Sequence, residues 1–265
     1  MKVTSAQISQ FQQQGFIHLK KVFSTDLITA CRQAVIAHNE RYQNDRHHYR
    51  VIGRFRSKSI ILDLYTYLEN PAIKAFLFQS GIGEVVGTLL QANTVRLCFE
   101  QTITKYSSAA NHTPWHDDTT YLDLTGAQIC RSWIPLETIT PDCSYLEFIR
   151  GSHRWQQRYT QAFAQTTMQL DQNKYELMPD IEATRAQYDI VSLDQMDVGD
   201  CVVFYDRTIH SATAQRAESP RHAISPLWIG DQVQYHHNPN KGLYIPPELK
   251  QVNGEPVLPV VWPSD

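Results

Sequence analysis

From Ser5 to about Leu90 the apolar positions recur three and four residues apart, a spacing that predicts helices rather than strands. Ser5 is placed to cap a turn running to Gln14 and Ser24 to cap a helix from Thr25 to about Asn39, and two shorter helices fit Asn70 to Phe78 and Gly81 to Leu90. After Ala92 the texture changes. Thr94 to Tyr106, Gln128 to Leu136, Ser144 to Ile149, Asp200 to Tyr205 and Ile224 to Ile229 are rich in β-branched and aromatic residues, and clusters of Pro, Gly, Asp, Asn and Ser separate them. A helical front (1–91) followed by many short strands (92–231) predicts a mainly β protein with flanking helices packed on one sheet. Jelly rolls are a common way for such strands to bury two faces and limit exposed edges, but the pattern alone does not separate one from another sandwich.

No repeat, low-complexity tract or Gly/Ser linker interrupts the 265 residues, so a single domain is expected. Two stretches fit no period, Arg46 to Tyr67 and the tail at 232–265, and both read as aromatic loops able to cover a site. Within the tail, His236 and His237 are adjacent and would face opposite ways on a strand, which makes them rim residues rather than a metal pair.

Composition narrows the classes of function. Apolar residues make up 42%, charged residues 19%, and the net charge is -3, values of an ordinary globular protein with nothing to attract nucleic acid. The densest basic stretch, Asn44 to Lys58, includes Asp45 and apolar residues and reads as a solvated face. The five cysteines are odd in number and lack a Cys-x-x-Cys pair, which argues against a disulfide framework and against a thiolate zinc site. No run approaches the roughly 20 apolar residues of a membrane span, so no membrane partner is expected and a cytoplasmic location is. The pattern says nothing of oligomeric state.

The segment carrying most chemistry is Pro114-Trp115-His116-Asp117-Asp118. On an extended strand His116 and Asp118 share a face while Asp117 points away, giving half of a metal site. Far downstream, His210 follows the strand-like Cys201 to Tyr205 and supplies a second imidazole. Two imidazoles and one carboxylate on one face of an octahedron leave positions that suit a bidentate oxoacid and O2 on Fe(II). Arg221 lies eleven residues beyond His210, across a polar turn that could bring its guanidinium onto the strand beside His210; such a fork is the preferred partner of a buried carboxylate. The same three ligands also satisfy zinc with one open position, as in a hydrolase, and a silent jelly-roll binding module is the reading without chemistry.

The ordered set Phe11-Gln12-Gln13-Gln14-Gly15-Phe16-Ile17, Gln101 to Lys105, Pro114 to Asp118, Gly151-Ser152-His153, Val198-Gly199-Asp200, His210 and Arg221 resembles the phytanoyl-CoA dioxygenase family. The resemblance implies a double-stranded β-helix (cupin-like jelly roll) core and a reaction in which 2-oxoglutarate is decarboxylated to succinate and CO2 while O2 oxidises a small-molecule substrate. It implies His116, Asp118 and His210 as iron ligands and Arg221 as the partner of the co-substrate's C5 carboxylate, with Gln101 as an amide bonding the co-substrate and Trp133 as an aromatic beside it. Members often carry Ser or Thr two residues past the distal histidine; Ala212 stands there, so Thr213 or Ser211 is expected to take over that hydrogen bond. His153 is read as a turn residue rather than a ligand. Halogenating relatives lack the carboxylate that Asp118 supplies, so oxygenation is expected, with hydroxylation the default and desaturation, epoxidation or ring formation the variants.

Overall fold

Thr4 rather than Ser5 starts the first helix: its side chain accepts from Gln7 N and Gln7 bonds back to the Thr4 backbone, a reciprocal box that satisfies two orphan donors. The computed structural model describes residues 2–42, 54–108, 111–122, 124–160, 175–235, 251–252 and 255–263. The helices are α1 (Ser5–Gln14), α2 (Thr25–Arg41), α3 (Pro71–Gln79) and α4 (Ile82–Leu90). Ser24 caps α2, and Asn70 caps α3 with Pro71 at its first position. Among the described residues no single helix is long and apolar enough to cross a membrane.

The helical front also contributes strands: β1 (Phe16–Leu19), β2 (Arg54–Arg56) and β3 (Ile60–Leu64). Then follow β4 (Val95–Lys105), β5 (Thr113–His116), β6 (Leu124–Gly126), β7 (Ile129–Pro135), β8 (Leu146–Ile149), β9 (Tyr159–Thr160), β10 (Glu176–Leu177) and β11 (Ile190–Ser192). The last are β12 (Cys201–Tyr205), β13 (His210–Ala212), β14 (Arg221–Ile229), β15 (Val233–Tyr235), β16 (Gln251–Val252), β17 (Glu255–Pro256) and β18 (Val260–Trp262). The major sheet runs β1-β12-β7-β14-β4-β3-β2, with β18 also on β4, and the minor sheet runs β11-β8-β13-β5. The pairs in both sheets are antiparallel, and the two layers face each other as the double-stranded β-helix.

Both faces of the major sheet are covered, which is why β7 and β14 are buried at every position and show no alternation in hydropathy. The outer face packs on the helices through a large core that includes Phe11, Ile28, Phe76, Val86 and Trp228. Phe16, Trp133, Phe148 and Phe204 pack between the layers.

Two expectations for the covering loops are corrected. The second half of Arg46 to Tyr67 is β2 and β3, and β3 alternates between half-buried and buried positions as a sheet member, not a lid. The end of the tail is β18, whose Val261 is buried on the helix-covered side, and Trp262 lies against Gly83 and Gly87. Residues 46–53 of the first stretch and 236–250 of the tail, with His236, His237 and much of the basic cluster, lie outside the described residues.

The Val198-Gly199-Asp200 segment ties this frame together. Asp200 accepts from Lys21 N at 2.9 Å and pairs with His18 Nε2 at 2.8 Å, while the Gly199 carbonyl receives Val22 N and Phe23 N. Gly199 has φ +96°, and a Cβ there would come 2.4 Å from the Phe23 carbonyl oxygen. Gly199→Ala therefore combines a left-handed backbone with a backbone clash and should lower unfolding free energy by about 3 kcal/mol, read from chemical denaturation.

Candidate active site

His116 is the last residue of β5, and Asp118 lies beyond the strand at φ -83°, ψ -10°, heading a short 3-10 turn. The two therefore do not share a face by strand alternation, as expected from spacing; a turn brings the carboxylate round instead. Asp118 N donates to Asp206 O at 2.8 Å, and Asp117 faces away, accepting from Thr119 N at 2.9 Å and Thr119 Oγ1 at 2.6 Å. His210 opens β13, paired in register with His116, and the ring centroids are 4.3 Å apart. One ligand atom from each of His116, Asp118 and His210 lies within 4.8 Å of the others.

The surroundings fix the chemical form of each. His116 Nδ1 is 2.8 Å from Pro114 O and His210 Nδ1 is 2.9 Å from Thr208 O. A carbonyl only accepts, so both Nδ1 atoms carry hydrogen, and Nε2 is the nitrogen of each ring with the chemistry to ligate a cation. Burial, aided by the adjacent His116, pushes the His210 pKa down to about 3 and keeps the ring neutral. Burial pulls the Asp118 carboxyl upward, but Arg131 and the two imidazoles outweigh it, and the net shift is downward. Two imidazoles and one carboxylate are a donor set that fits Fe(II).

Arg131 is the residue that sequence reasoning missed. Its Nε donates to Asp118 Oδ2 at 3.0 Å, leaving Oδ1 toward the histidines, and its Nη1 donates to Gln101 Oε1 at 3.2 Å. A guanidinium inside a wholly buried strand, two positions before Trp133 and so on its face, was the available signal. Arg131→Met should weaken metal binding about 10–100-fold, the usual effect of losing a partner that orients a ligand, measurable by competition with a chelating dye.

The triad lines a cavity of about 350 Å³ between the layers. Gln101 and Lys105 on β4 and Ser225 and Arg221 on β14 face into it, because period-2 alternation on cross-strand partners puts Gln101 opposite Ser225 and Lys105 opposite Arg221. Trp133 is also in the wall, 5.3 Å from the Arg221 guanidinium carbon. Arg221 does not sit on the strand beside His210, as the turn suggested. The connection crosses from the minor to the major sheet, so Arg221 faces the site from the opposite layer.

Arg221 is 1% exposed; its Nη2 donates to Ser144 Oγ at 3.3 Å, while Nε and Nη1 have no partner. Burial lowers its pKa to about 10, still far above neutrality. A buried guanidinium with unmet donors fits the carboxylate of an oxoacid. Thr213, expected with Ser211 as a stand-in for the hydroxyl that Ala212 lacks, instead accepts from Tyr145 N at 3.1 Å, outside this cavity, and Ser144 supplies the hydroxyl at Arg221. Ser211 does reach the cavity. His153 bonds Gln12 O at 3.1 Å and stacks on Tyr205, as a turn residue.

Solved structures share this arrangement of layers. The non-heme α-ketoglutarate-dependent carbocyclase SnoK from nogalamycin biosynthesis is similar at 19% identity and TM-score 0.74, over 97% of this chain and 96% of that one. The non-heme α-ketoglutarate-dependent epimerase SnoN, from nogalamycin biosynthesis too, gives 16% and 0.71 over 97% of each chain. EctD from S. alaskensis, solved with 2-oxoglutarate and 5-hydroxyectoine, gives 16% and 0.65 over 86% of this chain and 76% of that one. No curated protein matches the sequence. The family described as phytanoyl-CoA dioxygenase (PhyH) matches residues 11–223, which include the triad and Arg221. The chain belongs to the phytanoyl-CoA dioxygenase (PhyH) family of non-heme iron, 2-oxoglutarate-dependent oxygenases.

Proposed function

We propose that the protein oxidises a C–H bond of a small molecule, by default hydroxylating it, with His116, Asp118 and His210 holding iron and Arg221 holding the far carboxylate of 2-oxoglutarate. The observation that carries this reading is one cavity containing both a converged His-Asp-His set and a buried guanidinium with unmet donors. Bound iron supplies the activation of O2 that oxidises 2-oxoglutarate and substrate together. The chain's own residues do the rest. Arg131 keeps Asp118 ionised and turned so that one oxygen is left for the metal. Gln101, with its Oε1 committed to Arg131, has its amide NH2 as the group able to donate to the co-substrate.

The four residue steps from Ser225 to Arg221 span about 13 Å along a strand, so the guanidinium stands at one end of the cavity and the triad toward the other. Ile60, Leu62, Leu64, Phe99 and Leu122 line the same cavity and exclude water from the reacting groups. That wall favours a substrate presenting an apolar face; the similar folds are a carbocyclase (SnoK), an epimerase (SnoN) and EctD, solved with 5-hydroxyectoine, so small-molecule chemistry fits the scaffold. Incubation with Fe(II), 2-oxoglutarate and a panel of small molecules under 18O2 tests it. Substrate-dependent succinate release with a labelled product is the expected result; a panel-wide lack of any 2-oxoglutarate consumption, coupled or uncoupled, contradicts it.

A further inference from the structure

The geometry points to Lys105 as a second cation for the co-substrate's far carboxylate, acting with Arg221 as a two-pronged anion clamp in the cavity wall. This rests on the reading that the cavity binds 2-oxoglutarate. Lys105 is 1% exposed, stands opposite Arg221 in the β4–β14 register and lines the same cavity. Its Nζ donates to Thr113 Oγ1 at 3.1 Å and to Thr213 O at 3.2 Å. An ammonium has three N–H bonds, so one is left to donate. The same Thr213 carbonyl accepts from Ser144 Oγ, which in turn receives Arg221 Nη2, so a short chain of hydrogen bonds ties the two cationic heads together. Asp118 is the carboxylate in the cavity wall among the described residues, and Arg131 holds it. Two basic side chains therefore meet in this cavity, with Glu137, the carboxylate that acts on Arg221, already held by Arg32 and His222, and an arriving carboxylate favours the charged form of both.

Burial and then the charge of Arg221 lower the Lys105 pKa to about 6, so the amine is largely neutral in the empty cavity near neutral pH. Around it, β14 contributes Arg221, β5 contributes the Thr113 hydroxyl, β3 contributes the backbone paired at Ile60, and the segment after β13 contributes the Thr213 carbonyl. A bound carboxylate raises the folded-state pKa again, so binding of 2-oxoglutarate takes up a proton, and affinity weakens as pH rises between the two pKa values by as much as about tenfold per pH unit.

The test is anaerobic calorimetric titration of the Fe(II)-loaded protein with 2-oxoglutarate at about pH 7.5 in buffers of different ionisation enthalpy. Wild type should take up close to one proton. Lys105→Met should abolish the uptake and weaken affinity by about tenfold or more, the scale of one charge-assisted hydrogen bond, while Lys105→Arg, always charged, should bind without uptake. Binding by wild type with no proton uptake and no loss of affinity with pH overturns the role of Lys105, as does unchanged affinity in a folded Lys105→Met protein; if that variant does not fold, the wild-type uptake and pH profile decide. Wild type that fails to bind 2-oxoglutarate at all sinks the co-substrate reading itself, a different outcome from either.

Discussion

Asp118→Ala should lose metal binding and 2-oxoglutarate turnover together, by about three orders of magnitude, because it removes a ligand and strands a charge at once. The carboxylate is 6% exposed and held by Arg131 Nε at 3.0 Å, inside a cavity that Arg131 also lines. Taking one partner from a buried ion pair costs about 3–5 kcal/mol, and here the guanidinium left behind faces the position of the cation. His210→Ala should remove the second imidazole with less electrostatic damage, since His210 is neutral and leaves no charge behind. Metal content by elemental analysis, alongside succinate release, checks both; an Asp118→Ala protein that keeps full iron occupancy would show that the three side chains are not a ligand set.

Arg221→Met should act with opposite signs on the free and the co-substrate-bound protein. In the free protein the guanidinium is buried with Nε and Nη1 unpaired, a standing cost that methionine of similar reach removes, so stability should hold or rise by about 1 kcal/mol. With 2-oxoglutarate the balance reverses, because two charge-assisted hydrogen bonds to a carboxylate are lost, and affinity should drop about a hundredfold. Thermal shifts with and without 2-oxoglutarate under anaerobic conditions separate the two effects. Wild type should gain midpoint temperature on addition and the variant should not. An equal gain in both would place the carboxylate elsewhere.

The sequence made the helices legible because their caps are local: Ser24 and Asn70 announce α2 and α3 within a turn. The longer strands were legible through their β-branched and aromatic content. What stayed hidden was pairing and side. β1 and β3 lie in the helical front, yet they join the major sheet through β12 and β4; the first pairing spans most of the chain, the second crosses α3 and α4, and neither leaves a mark on short-range periodicity. The ligands were legible by type and motif, but the reason they converge was not. Asp118 reaches the site through a turn, and His210 meets His116 through strand register. Arg221 was found by spacing and put on the wrong layer, since nothing in a polar turn tells a hairpin from a crossing between sheets. Arg131 was passed over because a charge inside a wholly buried strand stands out only once both faces are known to be covered, and Lys105 because it ends β4, a strand that also carries exposed and half-buried positions.

In the proposed reading, iron and 2-oxoglutarate occupy the space between the triad and Arg221. Anaerobic addition of Fe(II) and 2-oxoglutarate to the protein, followed by visible absorption, tests this most directly. A weak charge-transfer band is expected that needs both components, saturates at one equivalent of iron and is absent in Asp118→Ala. Colourless protein at saturating concentrations of both, or a band that survives loss of Asp118, would contradict it.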